Sequence, residues 1–184
     1  AIDKGVVCSN YTDPKHTWQV IKSFKGGTAL FTQPATPIKC GGAPQKIMYL
    51  AESHFKKRGV RSKTDVVFAT VGTVIFGIKE IAETLMHVVD RKDINLRFNH
   101  KLVEVDAEKQ IAWYELTKDV PMGGCVIMSD DDEEKCIDET FQYNYKNVKV
   151  TKKDNRYGIH YDMLHTAPPS VAPEFVRKSS LVNE

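Results

Sequence analysis

Cys40 is the residue in this sequence best placed to do chemistry, because it stands where a glycine-containing loop gives way to a helix. The surrounding run, from Gly27 to Gly59, is GTALFTQPATPIKCGGAPQKIMYLAESHFKKRG. Unpaired N–H groups and the positive end of a helix dipole favour an anion, and the thiolate is the reactive form of cysteine. Lys39 and Lys46 add positive charge nearby, which favours the thiolate. The competing reading is a small buried cysteine packed beside Ile38. Gly41 and Gly42 and the flanking lysines favour reactivity.

The elements that must position Cys40 follow from periodicity and caps. Thr28 to Thr32 has the β-branched and aromatic content of a short buried strand. Ile47, Leu50, Ala51, His54 and Phe55 fall at helical spacing, with Pro44 suited to the first turn and Gly59 to the left-handed residue past the end. Upstream, Ala1 to Asn10 reads as a connecting segment with a short strand at Val6 and Val7. Asp13 then caps a helix that starts at Pro14, with Trp18, Ile21 and Phe24 on one face, and Gly26 and Gly27 end it. Downstream, Asp65 to Thr70 has the apolar run of a strand buried on both faces. Ile78, Ile81, Ala82, Leu85, Val88 and Val89 mark a second amphipathic helix that ends in DRKD. Strand, helix, strand, helix in close succession predicts a parallel sheet with right-handed crossovers. His54 and His87 read as half-buried packing histidines.

Beyond the helices the pattern turns to alternation: Ile94, Leu96 and Phe98; Leu102 or Val103 with Val105; Ile111 with Trp113. The stretch DAEK, 106–109, separates the last two as a turn, which predicts antiparallel hairpins beside the parallel core. Trp113 and Tyr114 read as packing or edge residues. From Thr117 to about Arg156 the character changes to PMGG, SDDDEEK and FQYNYKNVKV. The run SDDDEE lacks the spacing and the glycine of a calcium loop, so it reads as a solvated hairpin or insertion. Gly158 to Thr166 reads as one returning strand, which the prolines of Ala167–Pro173 cannot continue.

A chain of 184 residues with a net charge of +2 supports one core and excludes the basic footprint of a nucleic-acid binder. No run of 18 apolar residues is present to span a bilayer. Four cysteines, Cys8, Cys40, Cys125 and Cys136, are too scattered for a disulfide scaffold. They also lack the spacing of a zinc site, so no metal is expected and redox chemistry is the better reading. The chain opens without an initiator methionine, a signal peptide or an Arg/Ser-rich leader, and reads as a piece of a longer protein.

The runs TPIKCGGAPQKIMYLAESHFKKRGVRSK, DVVFATVGTVIFGIKEIAETL and YDMLHTAPPSVAPEFV resemble the eukaryotic type of sulfide:quinone oxidoreductase. That family belongs to the flavoprotein disulfide-reductase superfamily, which has two dinucleotide-type domains. The resemblance covers most of the chain outside roughly 117–156 and falls on the central, second dinucleotide-type domain. It implies an α/β, three-layer, Rossmann-type fold with a parallel sheet and an antiparallel β extension. The implied organisation is a connecting segment and helix over 1–26, the dinucleotide-type domain over 27–166, and a crossover tail over 167–184 leading toward an FAD domain.

The resemblance also implies chemistry. In the family two cysteines form a redox pair over the flavin, sulfide attacks the oxidised pair, a persulfide forms, and two electrons pass through FAD to ubiquinone. Cys40 matches one of the pair, Lys39 and Lys46 match its basic neighbours, and Gly41 and Gly42 match the loop near the flavin. His165, Pro168 and Pro169 are further candidates for the flavin and quinone region. Cys8 is ambiguous, since some bacterial relatives carry a cysteine in this region. FAD is expected to be bound mainly outside this chain, where the partner cysteine and the membrane-binding segments are expected too, and the sulfur acceptor leaves no mark in this piece. No GxGxxG is present, so NAD is not expected. Mitochondrial, inner-membrane-associated localisation is implied for the parent, and the chain alone is expected to be inactive. Two other readings are a binding or adaptor module that keeps the fold without catalysis, and a reductase domain like that of a type II NADH dehydrogenase. A retained reactive Cys40 tells against the first, and the missing glycine fingerprint tells against the second.

Overall fold

The structure, a computed structural model, describes residues 2–36, 38, 40–117, 124–128, 134–137 and 148–179. Lys39, most of the acidic run SDDDEE and the stretch FQYNYKN lie outside the described residues. One sheet runs in the order β1 (Val7–Cys8), β11 (Met163–Thr166), β2 (Gly27–Thr32), β3 (Thr64–Ala69), β4 (Ile94–Arg97), with every neighbouring pair parallel. Three helices accompany it: α1 (Pro14–Ser23), α2 (Ala43–Lys57) and α3 (Lys79–Arg91). A second sheet has the order β5 (His100–Asp106), β6 (Ile111–Leu116), β10 (Arg156–His160), β9 (Val150–Lys153), β7 (Gly124–Met128), β8 (Glu134–Ile137). It is antiparallel except where β7 and β9 run parallel.

Strand alternation decides what faces what. Ala29, Phe31, Val66, Phe68, Ile94, Leu96 and Met163 pack with Val20, Ile21, Met48, Ala51, Phe55 and Val89 of the helices. The intervening residues Leu30, Val67, Ala69 and Leu164 pack on Ala112, Tyr114, Val150, Ile159 and Tyr161 of the second sheet. Because successive side chains of a strand point to opposite faces, one parallel sheet seals two cores. The result is three layers, helices on parallel sheet on antiparallel sheet, as the α/β three-layer expectation requires.

Several local expectations hold. Asp13 Oδ1 accepts from the backbone N–H groups of Lys15 (2.9 Å) and His16 (3.0 Å), with Pro14 as the first helical residue. At the end of α2, Gly59 has φ +70°, the Gly59 N–H donates to Lys56 O and the Val60 N–H to Phe55 O. That pair of bonds is the Schellman motif, which needs a left-handed residue where glycine stands.

Other expectations are corrected. Gly158–Thr166 is two strands in two different sheets, broken at Tyr161–Asp162. The break is held by Asp162, whose carboxylate accepts the Thr28 N–H at 2.7 Å and so starts β11 beside β2. The short N-terminal strand is Val7–Cys8 rather than Val6–Val7. The buried face of α2 is Gln45, Met48, Ala51, Glu52 and Phe55, and Leu50 is exposed. Five consecutive apolar residues, Ile47 to Ala51, leave the face ambiguous by one position, and ion pairing of Glu52 decides it. In α1 the buried residues are Thr17, Val20 and Ile21, while Trp18 stays half exposed and meets the His54 ring edge-on at 4.9 Å. In α3 only Val89 is fully buried, Ile78 and Ile81 are exposed, and His87 is exposed rather than half-buried.

Glu52 is the node that ties the helices to the strand starts. Its buried carboxylate pairs with Lys92 and lies 3.6 Å from Arg61 Nε. Arg61 in turn donates to the backbone oxygens of Thr64 (2.6 Å), Lys92 (2.6 Å) and Asp93 (2.7 Å). Removing one member of a buried ion-paired set leaves the others uncompensated, which costs about 3–5 kcal/mol. Glu52→Ala is therefore expected to lower unfolding free energy by about 3 kcal/mol in urea titration. Lys79→Ala, which breaks the exposed Lys79–Glu83 pair, is expected to change it by less than about 0.5 kcal/mol.

Candidate functional site

In an open parallel α/β sheet the loops that follow the carboxyl ends of the strands form the natural binding edge. Cys40 lies on that edge, in the loop between β2 and α2, and is exposed. The Ala43 N–H donates to Cys40 O at 2.9 Å, and α2 begins at Ala43 with Gly42 as its N-cap. Cys40 thus precedes the first turn of a 15-residue helix whose N-cap has no side-chain hydrogen bond. Lys46, exposed, sits in the first turn of the same helix. Lys39 cannot be placed beside them, being outside the described residues.

The glycines beside Cys40 are not required by this chain's own backbone or packing. Gly42 has φ −82°, ordinary for any residue, and among the described residues a Cβ there would meet nothing within 4 Å. Among the described residues a Cβ on Gly41 would meet the Phe76 ring, at 3.7 Å. The open side of the loop therefore leaves room for a close approach from outside.

Two fasteners hold this loop. Gln45, almost fully buried, donates from Nε2 to Gly41 O (3.2 Å) and to Ile75 O (2.6 Å), which binds the Cys40 loop to the loop after β3. Ser170 N–H donates to Thr36 Oγ1 at 3.2 Å, which binds it to the segment after β11. Pro168 and Pro169 lie in that segment, half-buried and exposed respectively, so the structure brings them to the same edge as Cys40. Beside Phe76 opens an apolar cleft of about 360 Å³, lined by Val74, Ile75, Phe76, Ala82, Met86 and Phe98.

His165 and Cys8 are placed otherwise. Both are fully buried and opposed in the β1–β11 register. His165 Nε2 is 2.6 Å from Asn10 Oδ1 and 3.2 Å from the backbone nitrogen of Asn10, and its ring stacks on Phe31. Burial pushes its pKa down to about 4, so it is a neutral anchor for the loop after β1. Burial pushes the Cys8 thiol up to about 12, against a smaller lowering by the Thr17 hydroxyl, which keeps it protonated and inert.

Sequence reasoning missed Gln45, Asn10, Phe76 and Tyr11. The Tyr11 phenol, in the loop anchored by Asn10, is raised first by burial and then by the charge of a Cys40 thiolate. Gln45 lies inside the motif CGGAPQK, but only its burial marks it as a clamp. Among the described residues no group of three or more His, Cys, Asp or Glu side chains gathers to hold a metal ion, and no helix is long and apolar enough to cross a membrane.

A mouse mitochondrial sulfide:quinone oxidoreductase is 34% identical over 177 residues, 95% of this chain and 32% of the relative. Over nearly its whole length this chain is similar to the mitochondrial sulfide:quinone oxidoreductases. Those of Dictyostelium discoideum and Schizosaccharomyces pombe are 33% and 29% identical, each across 97% of this chain. The chain spans about a third of each relative, 32% of its length. No protein-family model matches it. In solved structures the fold recurs in the sulfide:quinone oxidoreductase of Aquifex aeolicus, with a TM-score of 0.56 and 16% identity over 88% of this chain and 30% of that one. It recurs also in a chain of the Tetrahymena thermophila mitochondrial ATP synthase, with a TM-score of 0.58 and 15% identity over 98% of this chain and 38% of that one. Such likeness speaks for the fold alone.

Two outcomes follow from the burial. An alkylating reagent at neutral pH is expected to label Cys40 in the folded chain and Cys8 only after unfolding, read by peptide mapping; labelling of Cys8 under native conditions would contradict the buried placement. The second concerns pH. His165 (about 4) and His100 (about 3) both titrate below their ordinary value of 6.5, because burial disfavours the charged ring. Between those values and pH 6.5 the unfolded chain binds more protons, so stability falls as pH falls, by up to about 1.4 kcal/mol per unit per histidine. The urea midpoint is expected to drop between pH 6.5 and 5; a flat profile would contradict neutral buried rings.

Proposed function

We propose that this chain is the second dinucleotide-type domain of a sulfide:quinone oxidoreductase and that Cys40 is one of the parent's two redox cysteines. The carrying observation is the place of Cys40: exposed, at the start of α2, on the carboxyl edge of the parallel sheet, within the sequence run that resembles the family. The domain would occupy 27–166, with the preceding segment and helix of 1–26 adding β1 to its sheet and α1 to its core, and a crossover tail following over 167–184.

Hydrosulfide attacks the disulfide formed by Cys40 and a partner cysteine elsewhere in the parent. One S–S bond breaks, one cysteine keeps the incoming sulfur as a persulfide, and the other leaves as a thiolate carrying the electron pair. FAD, bound mainly by other parts of the parent, would accept that pair and deliver it to ubiquinone. This chain's share is to hold Cys40 by Gln45 and the Thr36–Ser170 bond, and to favour its anion with the α2 N-terminus and Lys46. Lys39 would add to that charge. The open side at Gly41 and Gly42, where an added Cβ would meet little of this chain, and the neighbouring apolar cleft fit the approach of a flat ring system. Pro168 and Pro169 would border it, and His165 would act from beneath by anchoring the loop after β1. The persulfide sulfur would pass to an external acceptor. The parent would be associated with the mitochondrial inner membrane through segments outside this chain.

The decisive measurement is flavin absorbance of the full-length parent during anaerobic sulfide addition, wild type against Cys40→Ser. Bleaching of the wild type with an unbleached Cys40→Ser flavin is expected. Equal bleaching of both removes Cys40 from the mechanism. The 184-residue chain alone is expected to show no sulfide-dependent quinone reduction.

A further inference from the structure

The net charge of +2 conceals an uneven distribution. Between Pro14 and Lys63 stand ten lysines and arginines and a single acidic residue, Glu52, while the rest of the chain is net acidic. Glu52 is buried and already paired with Lys92 and Arg61, so among the described residues this stretch shows solvent no carboxylate of its own. A block of one sign leaves a local field that the whole-chain charge does not report.

The fold gathers that charge on the outer side of two adjacent helices. On α1, Lys15, Trp18 and Lys22 fall at spacings of three and four and share a stripe. On α2, Lys46, Leu50, His54 and the C-cap Arg58 follow one another every fourth residue. Two contacts join the stripes: the Trp18 ring meets the His54 ring edge-on at 4.9 Å, and Arg58 Nη1 donates to Lys22 O. His54 is held below its ordinary value by burial and then by the charges of Arg58, Lys57 and Lys22, which converge on it from both helices. Trp18 is 50% exposed and Leu50 57%, although the opposite faces of the same helices are sealed in the core. An indole and a leucine thus stand in solvent among cations.

The side-chain types select among anionic partners. Trp18 and Leu50 need an apolar medium lying beneath a layer of negative charge. The exposed cations around them are lysines, and the one arginine of the stripe is bound to Lys22 O, so the forked recognition that suits nucleic acid or phosphopeptide is lacking among them. Lysine carries a point charge on a long apolar stem, which can stay at headgroup level while neighbouring apolar tips sink. Tryptophan suits the same boundary, having an apolar body and one N–H. We propose that the α1–α2 face docks on an anionic phospholipid surface, with Trp18 and Leu50 entering the headgroup boundary and Lys15, Lys22, Lys57 and Arg58 meeting the lipid charges. This contact belongs to the chain itself and rests neither on the redox role of Cys40 nor on membrane segments elsewhere in the parent.

The test is co-sedimentation of the 184-residue chain with vesicles of equal parts phosphatidylcholine and phosphatidylserine, beside vesicles of phosphatidylcholine alone. The chain is expected to sediment with the mixed vesicles only and to detach as salt rises. Trp18 emission, taken as the difference from Trp18→Phe, is expected to shift to the blue on binding. Lys15→Gln with Lys22→Gln is expected to weaken binding by about fivefold per lysine, and Lys57→Gln, on the other helix, by about fivefold alone. Lys79→Gln, on exposed α3, is expected to leave binding unchanged. The proposal is overturned if the mixed vesicles do not bind the chain, if the lysine variants bind as the wild type does, or if Trp18 emission stays unshifted on binding. It is overturned equally if a single-stranded polynucleotide or polyglutamate binds more tightly than the vesicles in the same salt. Circular dichroism matching that of the wild type excludes misfolding of a variant, and the two lysine variants lie on different helices so that loss of one leaves the other to decide.

Discussion

The insertion of β11 between β1 and β2 is the constraint on which the rest of the structure depends. A strand from the far end of the chain must enter the parallel sheet beside the first two, and three contacts hold it there. Asp162 accepts the Thr28 N–H, the Leu164 N–H donates to Val6 O, and His165 reaches Asn10. Gly27, at φ +97°, has no Cβ because that atom would lie 2.0 Å from the Asp162 carboxylate. The glycine that ends the α1 connection is thus also the condition for β11 to dock. With β11 in place, the loops after β1, β2 and β11 share one edge, and Ser170 can reach Thr36 beside the Cys40 loop.

The two faces of that sheet are used differently. Helices on one face and the second sheet on the other remove both faces from water, and the strands between them read as continuous apolar runs. Polar groups in the second core are held neutral or internally bonded: Tyr114 is fully buried and pushed well above its ordinary value by burial, and His100 Nδ1 lies 2.6 Å from Phe98 O. Fully buried Arg97 contacts Asn95 Oδ1 at 3.3 Å. With both faces closed, the carboxyl edge is where a reactive, solvent-exposed side chain can stand on a rigid support. Cys40 stands there and Cys8, within β1 of the same sheet, does not. That contrast between two thiols carries more chemical meaning than their count in the sequence.

Much of the architecture was legible because it rests on local signals. Asp13–Pro14 marks a helix start and Gly59 a helix end through backbone requirements that only a few residue types meet. The middles of β2 (Ala29–Phe31) and β3 (Val66–Ala69) are continuously apolar because both their faces are covered. The faces of the helices were less legible. Leu50, Ile78 and Ile81 have the right spacing for burial yet are exposed, since the helix rotation is set by the Glu52, Arg61 and Lys92 ion-pair set and by docking on the sheet. The single strand read from Gly158 to Thr166 hid a change of sheet, because nothing in the local alternation marks the Asp162 break.

The sequence by itself determined the α/β class, the parallel core, the helix ends and Cys40 as the residue to watch, because caps, glycines and periodicity act over a few neighbouring residues. Only the tertiary structure decided that Cys8 is sealed and Cys40 open, that Gln45 clamps the loop, and that His165 is a neutral anchor. Each of these depends on contacts between segments far apart in the chain, where burial and strand pairing, not local preference, fix the environment of a side chain.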